Sequence, residues 1–247
     1  MHVVRASAAC CVGLALAACC ALALAACASK AQAPSGDPFP RVFGALRPSV
    51  VLFTMLVPSD DPKKRGQWDE AYGSGLIIAS GPWGSQILTV EHVIEDARNL
   101  RVTIHDRRVA KARVIARDAK ADLALVQTDA ANLPATKLGS SAHVEPGQAI
   151  GVAGYPIPDA FADEGLGTAT SVYAGRISSV RKDALELDLP VIPGESGGPV
   201  FDAGTGEVVG LAESRFDEEK AIGFAIPIDD ARRFVSHAKG ARLASAR

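Results

Sequence analysis

The apolar residues beyond position 50 fall into short runs of about five residues, many of them β-branched, separated by clusters of Gly, Pro, Asp or Asn. Short runs at such spacing are typical of all-β sandwiches and barrels, and they argue against alternating strands and helices. The pattern predicts strands at 50–57, 75–79, 86–90, 100–105, 112–116, 122–127, 148–152, 174–180, 184–189, 199–202, 207–212 and 221–226.

Only two stretches have helical character: a short turn at 92–99 and a longer helix at 228–239, which follows Pro227. The predicted strands divide near residues 132–141 into two groups of about six. The predicted fold class is therefore all-β, with two six-stranded antiparallel β-barrels and a C-terminal helix. We expect the folded domain to span 39–238, with the barrels at about 39–132 and 138–227. Residues 240–247 are expected to form a tail.

The amino-terminal segment carries one positive charge, Arg5, followed by apolar and small residues as far as Ala28. This arrangement is typical of a secretory signal. Leu24-Ala25-Ala26-Cys27 resembles the lipobox cut by lipoprotein signal peptidase, so we predict a lipoprotein signal peptide at 1–26 and lipidation of Cys27. Cleavage before Cys19, in an overlapping motif, and an uncleaved membrane helix remain open.

The segment after Cys27 is small, polar and rich in Pro and Gly, so residues 27–38 are predicted to tether a folded domain to the lipid. Ala28 is not the Asp associated with inner-membrane retention, which favours the outer membrane or periplasmic face of the cell envelope. All five cysteines lie within the first 27 residues, so no disulfide framework is expected. The charge is nearly balanced with no basic stripe, which argues against nucleic acid as a partner.

A serine surrounded by glycines is the sharpest chemical signal, in Pro193-Gly194-Glu195-Ser196-Gly197-Gly198-Pro199. Glycines allow a tight turn that presents a hydroxyl and free backbone N–H groups, which amide hydrolysis needs. A glycine-rich hairpin with an incidental serine is the plainer interpretation. The string also fits the nucleophile elbow of α/β-hydrolases, whose chain order is Ser, acid, His. The only histidine after Ser196 is His237, which lies in a predicted polar helix. This order disfavours an esterase of the α/β-hydrolase type.

A histidine and an aspartate lie upstream in contexts that suit such a serine. His92 directly follows an apolar strand, and Asp122 stands at the threshold of another. Burying an unpaired carboxylate costs several kcal/mol, so a histidine partner would account for Asp122. His, Asp, Ser is one of the known chain orders for a catalytic triad. The other histidines, including His105 and His143, show no metal-ligand spacing, so no metal site is predicted.

These residues sit within a longer series of motifs by which the chain resembles the HtrA (Deg) serine proteases of the trypsin-like superfamily. The series covers about 160 residues in order. It comprises Gly73-Ser74-Gly75-Leu76-Ile77-Ile78, Thr89 to Val93, Ala116 to Val126, Leu138-Gly139-Ser140-Ser141, Gly154-Tyr155-Pro156, Gly175-Arg176-Ile177-Ser178, the serine motif and Ile222 to Pro227.

The resemblance implies a chymotrypsin-like pair of barrels with the active site in the cleft between them. It implies a triad of His92, Asp122 and Ser196, and an oxyanion hole made by the N–H groups of Gly194 and Ser196. The expected function is a serine endopeptidase that hydrolyses unfolded or exposed polypeptides through an acyl-enzyme, without a cofactor. A catalytically silent protease fold that acts as a binding lipoprotein is the alternative.

The resemblance also places residues around the primary substrate pocket: Pro190, Val191, Ile192, Glu213, Ser214, Arg215 and Gly223. Their apolar members predict small aliphatic residues before the scissile bond. Glu213 complicates this expectation, because a carboxylate turned into the pocket would favour Lys or Arg. Alternation along the strand leaves both orientations open.

Two departures from the family pattern stand out. Position 195 is Glu where HtrA proteins usually have Asn, so we expect a donor such as Arg176 or Arg215, or else an inactive resting loop. The chain ends about 20 residues after Pro227, which predicts that no PDZ domain follows. Phe39 and Phe43 are candidates either for trimer contacts, by resemblance, or simply for the core.

Overall fold

Two closed antiparallel barrels of six strands each make up the fold in a computed structural model. The structure describes residues 36–213 and 222–245, without the side chains of 241–245. The strand order is β1-β2-β3-β6-β5-β4 in the first barrel and β10-β11-β12-β9-β8-β7 in the second. This confirms the all-β prediction of two six-stranded barrels and contradicts the α/β-hydrolase alternative, which requires a mostly parallel sheet between helices.

The first barrel consists of β1 (Val50–Pro58), β2 (Trp68–Gly81), β3 (Gly84–Thr89), β4 (Arg98–Thr103), β5 (Val109–Asp118) and β6 (Leu123–Thr128). Strand β2 is much longer than the predicted 75–79. Its first half pairs with β1 and its second half with β3. Backbone pairing therefore extends the strand into a polar segment that hydrophobic patterning does not reveal.

The second barrel consists of β7 (Ala149–Gly154), β8 (Ser171–Val180), β9 (Leu185–Leu187), β10 (Pro199–Asp202), β11 (Val208–Glu213) and β12 (Gly223–Pro227). Each predicted run of this group overlaps one of these strands. The predicted boundary near residues 132–141 falls in the connection between β6 and β7, where Leu138 forms an isolated bridge with Val208.

Four helices lie outside the barrels in the described residues: α1 (Phe39–Leu46), α2 (Glu91–Ile94), α3 (Pro158–Asp163) and α4 (Ile228–Ser245). Two short 3-10 turns cover Arg47–Ser49 and Pro62–Lys64. The predicted turn at 92–99 ends early because Glu95 has an extended backbone, and β4 has already begun at Arg98. The C-terminal helix was predicted, but it continues to Ser245, beyond the predicted end at 239 and into the predicted tail. Helices α1 and α3 were missed.

Helix α1 packs its apolar face on the folded domain. Phe39, Val42, Phe43 and Leu46 recur at the spacing of one helical face, and Phe39 stacks on Phe201 with ring centroids 5.7 Å apart. Such an aromatic pair adds about 1 kcal/mol beyond the area it buries. This packing supports the simpler interpretation of Phe39 and Phe43 as core residues.

Two buried clusters fill the structure. One occupies the first barrel and continues through Phe201, Leu211 and Ile226 to helix α4, while the other fills the second barrel around Ile150, Val152 and Ala212. The first cluster therefore joins the two barrels through shared apolar contacts. No described helix is both long and apolar enough to cross a membrane. The predicted signal peptide and Cys27 lie outside the described residues.

Candidate active site

The loop from Pro193 to Gly198 presents Ser196 between two glycines with left-handed backbones, Gly194 at φ 92° and Gly197 at φ 86°. A Cβ on Gly194 would lie 2.2 Å from the carbonyl oxygen of Tyr155, and one on Gly197 would lie 2.2 Å from Thr89 Oγ1. Both the backbone conformation and the close approach thus exclude any side chain. The glycines of the motif are there because the loop packs tightly against both barrels.

Hydrogen bonds orient the peptide groups of this loop. The carbonyl of Pro193 accepts from the N–H of Ile157 at 2.8 Å, and the carbonyl of Glu195 accepts from the N–H of Gly198 at 2.9 Å. In a trans peptide the following N–H points opposite to the carbonyl, and no described peptide is cis. The N–H groups of Gly194 and Ser196 consequently point the other way, and neither has a hydrogen-bond acceptor among the described residues. Two such amides can together bind an oxyanion.

His92 and Asp122 form a closely coupled pair in the first barrel. The Asp122 carboxylate accepts hydrogen bonds from both His92 Nδ1, at 2.7 Å, and the His92 backbone N–H, at 2.8 Å. The Asp122 carbonyl also accepts from the N–H of Glu91 at 3.1 Å. Because a carboxylate only accepts, Nδ1 carries the proton and Nε2 keeps its lone pair. This is the tautomer that a general base at Nε2 requires.

The backbone of Asp122 is left-handed, with φ 51°. Aspartate adopts this region more readily than most residues, and the bonds to Glu91 and His92 hold it there. A residue in this conformation directly before β6 places its carboxylate beside α2 instead of along the strand. The aspartate that the sequence places just before a strand is therefore held in a left-handed turn that directs its carboxylate to His92.

Competing effects set the pKa of His92. Burial of the imidazole lowers it, but the hydrogen bond and charge of Asp122, followed by the charges of Glu213 and Glu91, raise the pKa above its ordinary value. The side chain of His92 is 40 % exposed, so part of this electrostatic effect is screened by solvent. The net direction nevertheless favours the imidazolium, the form a general base produces when it takes a proton.

The serine loop contacts the strand that leads to the histidine. Gly197 packs on Thr89, which ends β3, and His92 follows in α2. Ser196 itself is only 6 % exposed. Among the described contacts its hydroxyl makes no hydrogen bond to His92, as in many unliganded active sites, where this bond shortens only when substrate binds. The structure therefore brings the serine loop and the strand before His92 together.

Glu195 is fully buried beside this serine. Its Oε2 accepts from the N–H of Ile192 at 2.9 Å, and its Oε1 has no hydrogen-bond partner among the described residues. Burial raises the pKa of Glu195 to about 7, against a lowering effect of the Ile192 hydrogen bond. The expectation that Arg176 pairs with Glu195 is wrong, because the Arg176 guanidinium donates to the carbonyl of Gly147. Arg215 lies outside the described residues.

The predicted pocket residues occupy different environments. Val191 is buried in the core of the second barrel, Pro190 is exposed and Ile192 is half-buried. A Cβ on Gly223 would lie 2.4 Å from the carbonyl oxygen of Leu189, so the backbones meet there without a side chain between them. The predicted pocket residues Ser214 and Arg215 are not among the described residues.

Glu213 faces away from the interior of the second barrel. Along β11, Leu211 belongs to the cluster of the first barrel and Ala212 to that of the second. Side chains alternate along a strand, so Glu213 shares the face of Leu211. The contribution of its charge to the raised pKa of His92 agrees with a place on the histidine side of the cleft. Whether the Glu213 carboxylate enters the substrate pocket stays a prediction.

Sequence reasoning did not select several residues that contact the serine loop, among them Ser74, Thr89 and Ile157. Ser74 and Thr89 did belong to motifs of the family resemblance, but no local signal assigned them a role. Within the described residues, no group of three or more His, Cys, Asp or Glu side chains could hold a metal ion.

Comparison with known proteins agrees with this geometry. The sequence profile of the trypsin-like peptidase domain matches residues 73–211. The serine protease HhoB of Synechocystis sp. is 32 % identical over 81 % of this chain and 45 % of its own length. A DegP-like periplasmic serine endoprotease of Pseudomonas fluorescens is 34 % identical over 70 % of this chain and 35 % of its own. The chain thus spans less than half the length of these relatives.

A solved structure of the HtrA-type protease AlgW with a tripeptide superimposes with a TM-score of 0.65 at 26 % identity. The match covers 80 % of this chain and 62 % of AlgW. The profile covers more than half of the sequence, and the similar proteins share the two-barrel fold. The chain belongs to the trypsin-like peptidase domain family, and its relatives there are HtrA- and DegP-like serine proteases.

Proposed function

We propose that this protein is a serine endopeptidase with a triad of His92, Asp122 and Ser196. The observation that carries the proposal is the Asp122–His92 pair, which leaves the lone pair on Nε2. His92 follows Thr89 closely in the chain, and the Ser196 loop packs on Thr89. The names of its relatives, which are serine proteases and endoproteases, support the same activity. The candidate oxyanion hole completes the parts that acyl transfer requires.

In the proposed mechanism, Nε2 of His92 takes the proton of Ser196 Oγ as this oxygen attacks the carbonyl carbon of the scissile peptide. The carbonyl oxygen becomes an oxyanion that accepts hydrogen bonds from the N–H groups of Gly194 and Ser196. The C–N bond then breaks and His92 donates its proton to the leaving amine. Water, deprotonated by His92, attacks the acyl-enzyme, and proton return to Ser196 Oγ releases the acid.

Asp122 acts in this mechanism by holding the imidazole and stabilising its cationic form. It binds both the ring and the backbone of His92, so the ring orientation and the position of α2 depend on one carboxylate. Against the lowering effect of burial, the hydrogen bond and charge of Asp122 contribute most to raising the pKa of His92.

Substrates are proposed to be unfolded or exposed polypeptides with a small aliphatic residue before the scissile bond. The described pocket residues Val191, Ile192 and Gly223 offer no carboxylate to a basic side chain. Glu213 lies on the face of β11 turned away from the barrel that contains Val191. An apolar pocket lined in this way favours Val, Ala or Ile through apolar burial, worth about 0.8 kcal/mol per CH₂.

Cleavage-site profiling tests the function and the preference together. A denatured proteome incubated with the purified protein is expected to gain new peptide termini that follow Val, Ala or Ile, and Ser196→Ala protein should generate none. Mass spectrometry of the termini provides the measurement. If cleavage instead followed Lys or Arg and this preference disappeared in Glu213→Ala, the pocket assignment would be wrong. If no sample gained new peptide termini, the proposed protease activity would be rejected.

We also propose that the protein is anchored to the cell envelope by lipid on Cys27, in keeping with the periplasmic description of its relatives. Cys27→Ser should abolish palmitate incorporation and leave a precursor of higher mass, because the thiol must receive diacylglycerol before cleavage. Labelling with palmitate followed by electrophoresis gives the result. If palmitate incorporation persisted in Cys27→Ser but was lost in Cys19→Ser, the mature protein would begin at Cys19 instead of Cys27.

A further inference from the structure

Ser74 lies in β2 of the first barrel, yet its hydrogen bonds reach the serine loop on the second. The residue is completely buried, and no part of the proposed triad involves it. Its Oγ is 2.6 Å from the carbonyl oxygen of Gly194 and 3.0 Å from the backbone N–H of Tyr155. A hydroxyl has one hydrogen, so it donates to the Gly194 carbonyl and accepts from Tyr155.

The backbone of Ser74 makes a second contact with the same loop. Its N–H donates to the carbonyl of Ser196 at 2.8 Å. Ser74 therefore holds two peptide groups, one between Gly194 and Glu195 and one between Ser196 and Gly197. These two groups flank the Glu195–Ser196 peptide, whose N–H is one of the proposed oxyanion donors.

The carbonyl of Ser74 is tied to the strand that leads to the histidine. It accepts a hydrogen bond from Thr89 Oγ1 at 2.8 Å, and Thr89 is the last residue of β3. Through its hydroxyl, its N–H and its carbonyl, one buried residue thus connects the loop of the nucleophile to the element that precedes the general base. All of the residues involved are buried, and a hydrogen bond lost in a buried place is costly.

Gly154 leaves the space in which this hydroxyl fits. A Cβ at position 154 would lie 3.0 Å from Ser74 Oγ and 3.0 Å from the Cα of Glu195. The end of β7 therefore lies against both partners of the contact, which restricts the ways in which the Gly194–Glu195 peptide can turn. The Ser74 hydroxyl is the donor placed to hold that peptide in its observed orientation.

We propose that Ser74 is a positioning residue for the oxyanion hole: its hydroxyl fixes the Gly194–Glu195 peptide so that the neighbouring N–H groups stay aimed at the reacting carbonyl. The catalytic part of this inference rests on the proposed protease function. Loss of the hydroxyl releases one carbonyl and leaves it buried without its donor, so the loop gains alternative orientations. Transition-state stabilisation falls, whereas the substrate-binding surface persists.

Ser74→Ala tests the proposal, with Ser85→Ala as the matched control. Ser85 is equally buried in the first barrel and donates its hydroxyl to the carbonyl of Ala130 at 2.6 Å, far along the chain from the serine loop. We expect Ser74→Ala to lower kcat by about 10²-fold while KM changes by less than about twofold. Ser85→Ala should keep kcat and KM near wild type even if its melting temperature falls similarly.

Amide hydrogen exchange of residues 193–198 supplies a readout that needs no turnover. Exchange in this loop should accelerate in Ser74→Ala and remain unchanged in Ser85→Ala. Unchanged kcat and unchanged loop exchange in Ser74→Ala would overturn the inference, as would equal kinetic losses in both variants. A wild-type protein without turnover would reject the proposed protease function instead, and the exchange comparison would still decide whether Ser74 holds the loop.

Discussion

Ser196→Ala is expected to lower turnover of an unfolded substrate such as casein by about 10⁴-fold or more. The change removes the only atom proposed to form a covalent bond to substrate, and the acyl-enzyme route closes. The packing of the loop should survive, because Gly194, Gly197 and Ser74 make its contacts through groups that the substitution leaves in place. Release of dye from labelled casein, together with a thermal melt, measures both consequences.

Ser196→Ala also shows whether Ser196 and His92 act together or contribute independently to the rate. Adding His92→Ala to Ser196→Ala should lower the residual rate by little more, because a base without its nucleophile has no role. A fluorophosphonate probe should label the wild type and not Ser196→Ala. Ser236→Ala is a suitable control, since its hydroxyl donates to the carbonyl of Arg232 within helix α4. Full casein turnover by Ser196→Ala would end the protease proposal.

Asp122→Asn is expected to lower kcat by about 10⁴-fold with the fold retained. An amide that turns its NH₂ towards His92 Nδ1 forces the proton to Nε2, the wrong tautomer for a base. The substitution also removes the hydrogen bond and charge of Asp122, the largest of the effects that raise the pKa of His92, so that pKa should fall. The acidic limb of the remaining activity should therefore move to lower pH. A pH profile of kcat/KM checks both effects.

Asp118→Asn provides a close control for Asp122→Asn. Asp118 ends β5 in the same connection, and its carboxylate accepts hydrogen bonds from the N–H groups of Lys120 and Ala121 without reaching His92. The Asp118→Asn substitution should change stability slightly and leave both kcat and the pH profile unaltered. Equal losses in the two variants would mean that the turn, and not the carboxylate at His92, limits activity.

Most of the fold was predictable because its signals are local. Short apolar runs, many of them β-branched, located the strands, and clusters of Gly, Pro, Asp or Asn located the turns. Helix α1 also carried a readable signal in the spacing of Phe39, Val42, Phe43 and Leu46. The short helix α3 did not, since one and a half turns contain too few positions to show a period.

The chain by itself selected the residues that we propose carry the chemistry. The glycines around Ser196, an acid at a strand threshold and a histidine after a strand each reflect a local requirement of backbone geometry or desolvation. Three such signals in one order are specific, even though each alone has a plainer explanation. The sequence also showed that Glu195 is unusual at its position.

Only the tertiary structure decided how these residues are held. Ser74 donates a hydrogen bond to Gly194, 120 residues further along the chain. The backbone N–H of Ile157, in another loop, orients the carbonyl of Pro193. Glu195 is fully buried, whereas the sequence led us to expect a basic partner for it. The face on which Glu213 lies likewise depends on which strands close each barrel. Local patterning encodes strands and turns, but the contacts between distant segments arise only when closure of the two barrels brings their loops together.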